Sequence, residues 1–244
     1  RGDEISNLIT LNLNEQLFFN SIFENKTTSM SHAHLIVGTS DLGLNASDFD
    51  VSINLKHANM KSWIPFIDHL LENINQGESS GIFPPLKQIK GEIEKVDLSG
   101  IIFNELDFKL DNFAQSTQLK LMAKELRAQV SIPKVLAQRP IYIEADYLRF
   151  NLPETDKTNA IEKEKTDTSW FYSLPAIRFN CADCRIDDYQ LDKLIVNLDP
   201  AENGIQISDF ILDKNKHKLT ASGLWKNEMS YLTGQFTSKD IGEL

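Results

Sequence analysis

The chain has 244 residues, with 25 Lys and Arg against 35 Asp and Glu, and a formal net charge of −10. With 41% hydrophobic and 25% charged residues it fills one or two domain cores, which excludes a wholly disordered chain and a membrane-embedded one. No apolar run approaches the roughly 18 to 20 residues of a spanning helix, and the acidic balance, without Lys/Arg clusters interleaved with aromatics, excludes a nucleic-acid partner.

The opening Arg1-Gly2-Asp3-Glu4 has neither an initiator Met nor a charged-then-apolar signal pattern, which points to processing or a cut at that place. Period-two alternation follows and dominates the chain. Val51, Ile53 and Leu55 alternate with polar neighbours, as do Leu106, Phe108 and Leu110, then Leu119, Leu121 and Ala123, so each run predicts a strand with one apolar and one polar face. Ala128, Val130 and Ile132 continue the pattern, then Ile141, Ile143 and Ala145. The apolar phase flips at Leu148, Phe150 and Leu152, which predicts a bulge near Asp146-Tyr147. Further strands are predicted at Leu194, Val196 and Leu198, at Ile205 to Ile207 and at Leu219 to Ala221. Links such as Asn203-Gly204 and Asp213 to Asn215 are too short for helical crossovers, so an antiparallel meander is expected.

Helix signals are sparse. Ile67, Leu70, Leu71 and Ile74 have helical spacing after Asn59 as N-cap, which predicts one short helix near 61–74, and Asp240 to Leu244 begins a second at the C-terminus. The Gly-, Ser- and Pro-rich stretch Asn75 to Pro85 reads as a loop, and the charged tract Glu154 to Thr168 as a disordered excursion.

An internal repeat is visible. Ile89 to Leu110 aligns without a gap on Ile177 to Leu198, an offset of 88, and nine of ten apolar positions in the first segment meet an apolar partner. Leu55 to Trp63 and Phe236 to Leu244 echo each other as a strand running into a helical start. The fold expectation is therefore all-β: an elongated, twisted antiparallel sheet of repeated units with those short helices. The divisions expected are a β unit at 1–75 ending in the helix, a β repeat unit at 76–153, the charged loop at 154–168 and a second repeat unit at 169–244.

Cys181-Ala182-Asp183-Cys184 is the only motif that invites a reaction. A redox pair needs its first Cys at a helix N-terminus in a βαβ setting, whereas this one lies in an alternating β segment, and the repeat places Cys181 on Ile93 and Cys184 on Val96. Both positions read as buried and apolar, so the candidate role is a structural disulfide if the compartment is oxidising. Residues i and i+3 of an ideal strand face opposite sides, so that bond requires a turn or bulge. His32 and His34 share a strand face as two zinc ligands do, but nothing in the sequence brings the two Cys to them, and no metal or cofactor is assigned. There is no Gly-x-Ser-x-Gly elbow, no phosphate loop and no His-Glu-x-x-His, and the carboxylates fall on polar strand phases, so no enzyme is expected.

Pro84-Pro85-Leu86-Lys87-Gln88-Ile89-Lys90-Gly91-Glu92-Ile93, with Val96-Asp97-Leu98, Leu106-Asp107-Phe108-Lys109-Leu110, Ala123-Lys124-Glu125-Leu126 and Ala145-Asp146-Tyr147-Leu148, resembles the AsmA-like family, and most closely its large YhdP-type members. Leu219 to Trp225 leading to Leu232 to Gly242 is similar to that family's strand, Gly, strand, Asp-hydrophobic unit. The resemblance implies a segment of a repeating β-groove that is anchored in the inner membrane of a Gram-negative bacterium, crosses the periplasm and carries phospholipids toward the outer membrane. It further implies that acyl chains are the partner, that membrane contact is made outside this chain, and that no catalytic residue carries over.

In that reading Val51, Ile53, Leu55, Leu106, Phe108, Leu110, Leu119, Leu121, Leu194, Val196 and Leu198 are the candidate groove-lining residues. The same alternation serves a closed β-sandwich for binding or adhesion, with Trp63, Trp170 and Trp225 as a sugar platform, and this is the alternative function.

Overall fold

The computed structural model describes residues 6–14, 16–24, 29–38, 48–60, 62–63, 84–98, 100–151, 174–202, 204–226 and 230–239. It is all-β, with sixteen strands among the described residues. They fall into two compact units, 1–124 and 125–244.

Unit 1 holds β1 (Ser6–Leu13), β2 (Leu17–Glu24), β3 (Ser29–Gly38), β4 (Asp48–Asn59), β5 (Leu86–Leu98), β6 (Ile101–Asn112) and β7 (Ser116–Met122), each hydrogen-bonded to the next. Unit 2 holds β8 (Leu126–Pro133), β9 (Ile141–Phe150), β10 (Ile177–Cys181), β11 (Cys184–Ile186), β12 (Tyr189–Leu191), β13 (Lys193–Ala201), β14 (Gly204–Lys214), β15 (His217–Lys226) and β16 (Tyr231–Ser238). Its order is β8-β9-β10-β13-β14-β15-β16, with β11 beside β9 and β12 beside β11. Within each unit the described strands lie in a single sheet.

The sheet is mixed, which corrects the expectation of antiparallel pairing throughout. β3 pairs β4 in parallel, β4 pairs β5 in parallel, and β9 pairs both β10 and β11 in parallel. A parallel pair ordinarily takes a long return connection. The chain supplies one of 26 residues between Asn59 and Leu86 and another of 26 between Phe150 and Ile177, whereas β3 and β4 are joined by only nine, 39–47. The tracts read from sequence as a loop and an excursion belong to the two longer connections. Met60, Ser62 and Trp63 are helical, at the start of the expected 61–74 helix, whereas 64–74, the tract 154–168 and the C-terminal helix at 240–244 lie outside the described residues.

Local chemistry accounts for the turns and irregularities. Asp187 and Asn215, with φ of 52° each, open the two-residue links of the β11–β12 and β14–β15 hairpins, where only Gly, Asn and Asp enter the left-handed region cheaply. Arg127 pairs Tyr147 and the next pair is Ala128 with Ala145, so Asp146 is the extra residue of a bulge. That extra residue is why the apolar phase of β9 changes between Ala145 and Leu148.

The 88-residue repeat extends to hydrogen-bonding partners. In unit 1 Ile89 faces Leu110, Ile93 faces Leu106 and Val96 faces Phe103; in unit 2 Ile177 faces Leu198, Cys181 faces Leu194 and Cys184 faces Leu191. β11 and β12 thus correspond to the three residues of β5 and of β6 nearest their turn, 96–98 and 101–103. The core cluster of unit 2 sits at this point: Ala128, Ala145, Cys181, Cys184 and Leu194, with Phe179, Val196, Phe210 and Leu212 packed on it.

Candidate functional site: an apolar sheet face

Residues directly opposite one another in a ladder project to the same face, so cross-strand register defines rows of side chains. One row of unit 1 runs Leu11, Phe19, Leu35, Val51, Ile89, Leu110 and Leu119 across all seven strands. The next runs Leu13, Leu17, Val37, Ile53, Gly91, Phe108 and Leu121, and a shorter one joins Leu55, Ile93 and Leu106. All eight candidate lining residues of unit 1 therefore share one face.

Unit 2 repeats the arrangement. One row runs Ala145, Cys181, Leu194, Leu212, Leu219 and Phe236, a second Ile143, Phe179, Val196, Phe210, Ala221 and Gly234, and a third Ile141, Ile177, Leu198, Ile207, Gly223 and Leu232. The candidates Leu194, Val196 and Leu198 lie side by side on β13, one in each row.

Burial shows how this face meets its surroundings. Val51 and Leu194 are buried at 8% exposure, while the other nine candidates are partly exposed. At the outermost described strands Leu11, Leu13, Leu232 and Phe236 are more than half exposed, so the apolar rows run out to each margin uncovered. In the closed sandwich of the alternative reading a second sheet would bury those central positions. Among the described residues neither unit has one.

The opposite face is mainly polar, with Phe18 and the buried Ile36 in unit 1 and Ile195 and Ile211 in unit 2 as apolar members of its rows. In unit 1 Lys90, Lys109 and Lys120 form a row of like charge, between a row with Glu92 and Asp107 and another with Gln88, Asp111 and Gln118. Lys109 Nζ lies 2.9 Å from Asp111 Oδ2 and Gln88 Nε2 donates to Asp111 Oδ1 at 2.8 Å. Burial raises the Asp111 pKa, but these two donors outweigh it and the net shift is downward. In unit 2 Arg178 Nη2 pairs Asp199 Oδ1 at 2.6 Å, Asn180 Nδ2 donates to Glu144 at 2.9 Å, and Asn197 Nδ2 donates to Asp209 at 2.8 Å. The Ser208 hydroxyl and Arg178 hold the Asp199 carboxyl below its ordinary value.

Cys181 and Cys184 are joined by a disulfide, with Cα atoms 6.1 Å apart and neither residue exposed. The break between β10 and β11 at Ala182-Asp183 brings positions i and i+3 to one side. Asp183 is itself held by Arg149 at 2.9 Å and by the Gln190 amide, which together keep its pKa low. His32 and His34 lie on the polar face, opposite Asp48 and Asp50. His34 Nε2 is 2.9 Å from Ser52 Oγ and His32 Nδ1 is 3.0 Å from Ser31 Oγ. With the cysteine sulfurs bonded to each other, no group of three or more His, Cys, Asp or Glu able to hold a metal is found among the described residues. Trp63 and Trp225 are described and Trp170 is not.

Sequence reasoning missed much of the face: Leu11, Phe19 and Leu35 in unit 1, and Phe179 and Phe210 in unit 2. Ile9, Leu11 and Leu13 carry the period-two signal openly. In β2, Leu17-Phe18-Phe19 is apolar in both phases and hides it.

The family model described as YhdP protein matches residues 1–244. No curated protein matches the chain. No helix of the described residues is long and apolar enough to cross a membrane.

Proposed function

We propose that this chain, which belongs to the YhdP family and so to a bacterial envelope protein, is a segment of a lipid-transfer conduit whose apolar face carries phospholipid acyl chains between the inner and outer membranes. The observation that carries the reading is the set of registered apolar rows, seven strands wide in unit 1, in which Val51, Ile89 and Ile93 are buried while most other positions are partly exposed, out to the half-exposed Leu11 and Leu13. Exposed apolar area of that extent is costly in water unless something apolar covers it. Acyl chains are suited to the task, since each buried CH₂ contributes about 0.8 kcal/mol and hydrocarbon rows offer no polar group to hold a tail at one position. The role is passive transport without catalysis, in the periplasm, with the inner-membrane anchor and the membrane contacts in parts of the full-length protein outside these residues.

The test is substitution on the two faces. Phe108→Asp and Val196→Asp each place an ionised carboxylate in a dry lipid path, where it costs several kcal/mol to desolvate, so lipid transfer between donor and acceptor vesicles by the full-length protein falls at least about tenfold. Lys120→Asp, on the polar face, leaves transfer unchanged. Circular dichroism establishes that all three fold. If the folded Asp variants transfer lipid at the wild-type rate, the apolar rows are not the lipid path.

A further inference from the structure

The two repeated hairpins are interrupted at the same level and repaired by different chemistry. In unit 1 regular pairing of β5 with β6 lapses between Ile93–Leu106 and Lys95–Asn104, where Glu105 takes a φ of 54°, yet both strands run on. In unit 2 the corresponding level is a true break that separates β10 from β11 and β12 from β13. The side chains that span it are Ile93 and Val96 in unit 1, at 7% and 3% exposure, and the bonded Cys181 and Cys184 in unit 2.

Beyond the break, only short ladders hold the β11–β12 hairpin. Each strand has three residues, β12 pairs only β11, and β11 meets β9 over Leu148 to Phe150. A two-stranded hairpin that short does not persist in water by itself. Its other attachments are the hydrogen bonds from Leu148 N to Asp183 O and from Asp187 N to Phe150 O, both at 2.9 Å, the Arg149–Asp183 ion pair, the packing of Cys184 and Leu191 in the unit 2 core, and the disulfide.

We propose that the Cys181–Cys184 disulfide is a brace that keeps the β11–β12 hairpin docked on β9, doing covalently what Ile93 and Val96 do by burial in unit 1, and that this hairpin is the redox-labile element of the segment. Its reductant is a dithiol. One thiolate of the reductant attacks a cysteine sulfur to give a mixed disulfide and expels the other cysteine as thiolate. The second thiolate of the reductant then displaces the remaining cysteine, so the protein gains two electrons and two protons and the reductant leaves as a disulfide. Both cysteines are fully buried, so the reductant reaches them when the hairpin opens. The proposal stands on the hairpin's attachments and does not depend on the lipid reading.

The experiment is hydrogen exchange read by mass spectrometry on the full-length protein, oxidised and after dithiothreitol, alongside Cys181→Val with Cys184→Val. In the reduced protein the amides of 184–191 exchange at least about tenfold faster, as loss of a local closure predicts, while 194–198 and the counterpart 96–103 in unit 1 are unchanged. The valine pair retains the protection of the oxidised protein to within about threefold, because an apolar pair suffices in unit 1. Unchanged exchange at 184–191 on reduction, equal deprotection of β13 and β14, or a valine variant that exchanges like the reduced protein would each overturn the proposal. The rate of reduction reads the gate separately: Arg149→Ala, which removes the ion pair to Asp183, speeds reduction by dithiothreitol, and an unchanged rate contradicts opening as the gate.

Discussion

Gly91 sits in the row between Ile53 and Phe108, and a Cβ built on it would lie 2.3 Å from Ile53 O and 2.9 Å from Ile53 Cβ. The parallel approach of β4 to β5 therefore depends on a residue without a side chain, with Phe108 beside it filling the row. Gly91→Ala destabilises the protein by about 1–3 kcal/mol, the usual cost of overpacking, as read from the urea midpoint; an unchanged midpoint would mean the two strands yield without loss. Polar-face carboxylates set the response to acid. Asp199 has a depressed pKa in the folded state, so the stability it contributes is fully present above the ordinary carboxylate value of 3.8 and is lost as pH falls through the lower folded value. Melting temperatures of wild type and Asp199→Asn between pH 7 and pH 2 converge in that acid window, and a constant difference down to pH 2 would contradict the assignment. The cysteine pair was legible as buried and apolar from its alignment with Ile93 and Val96. That a bond between i and i+3 requires a turn or bulge was legible too, and the break at Ala182-Asp183 is that irregularity.

At the scale of elements, the strands were legible wherever one face is apolar and the other polar, as in β6, β7, β9 and β13. Pairing direction was not. Alternation reports which side of a strand is covered and is silent about whether its neighbour runs with it or against it, so β4 beside β5 and β9 beside β10 could not be read as parallel. The bulge at Asp146 was readable, since an extra residue inverts the apolar phase of everything after it. The repeat was readable too, and its register shows why it survives sequence divergence: Ile89–Leu110 and Ile177–Leu198 place the same kind of side chain at the same rung, and only the apolar character of the rung is needed. Of the lining residues, those on β4, β6, β7 and β13 were found, whereas those on β1 were missed although they alternate cleanly. Those on β2, apolar in both phases, were missed as well.

For the molecule as a whole, the net charge is −10, and each unit has one mainly polar and one mainly apolar sheet face. In each unit the mainly polar face carries paired carboxylates, Asp111 in unit 1 and Asp199 and Asp209 in unit 2, and the other face is the one that the proposed function assigns to hydrocarbon. Membership of the YhdP family places that division in the bacterial envelope. The measurement that tests the conduit most directly joins lipid analysis to site-specific photocrosslinking. The full-length protein, carrying a photoreactive residue at Phe108, Val196 or Lys120, is purified gently, illuminated and examined by mass spectrometry. The account predicts co-purified phospholipid and acyl-chain adducts at Phe108 and Val196, on the apolar rows of units 1 and 2, with none at Lys120. Protein without bound phospholipid, or adducts from Phe108 and Val196 to protein alone, would contradict it.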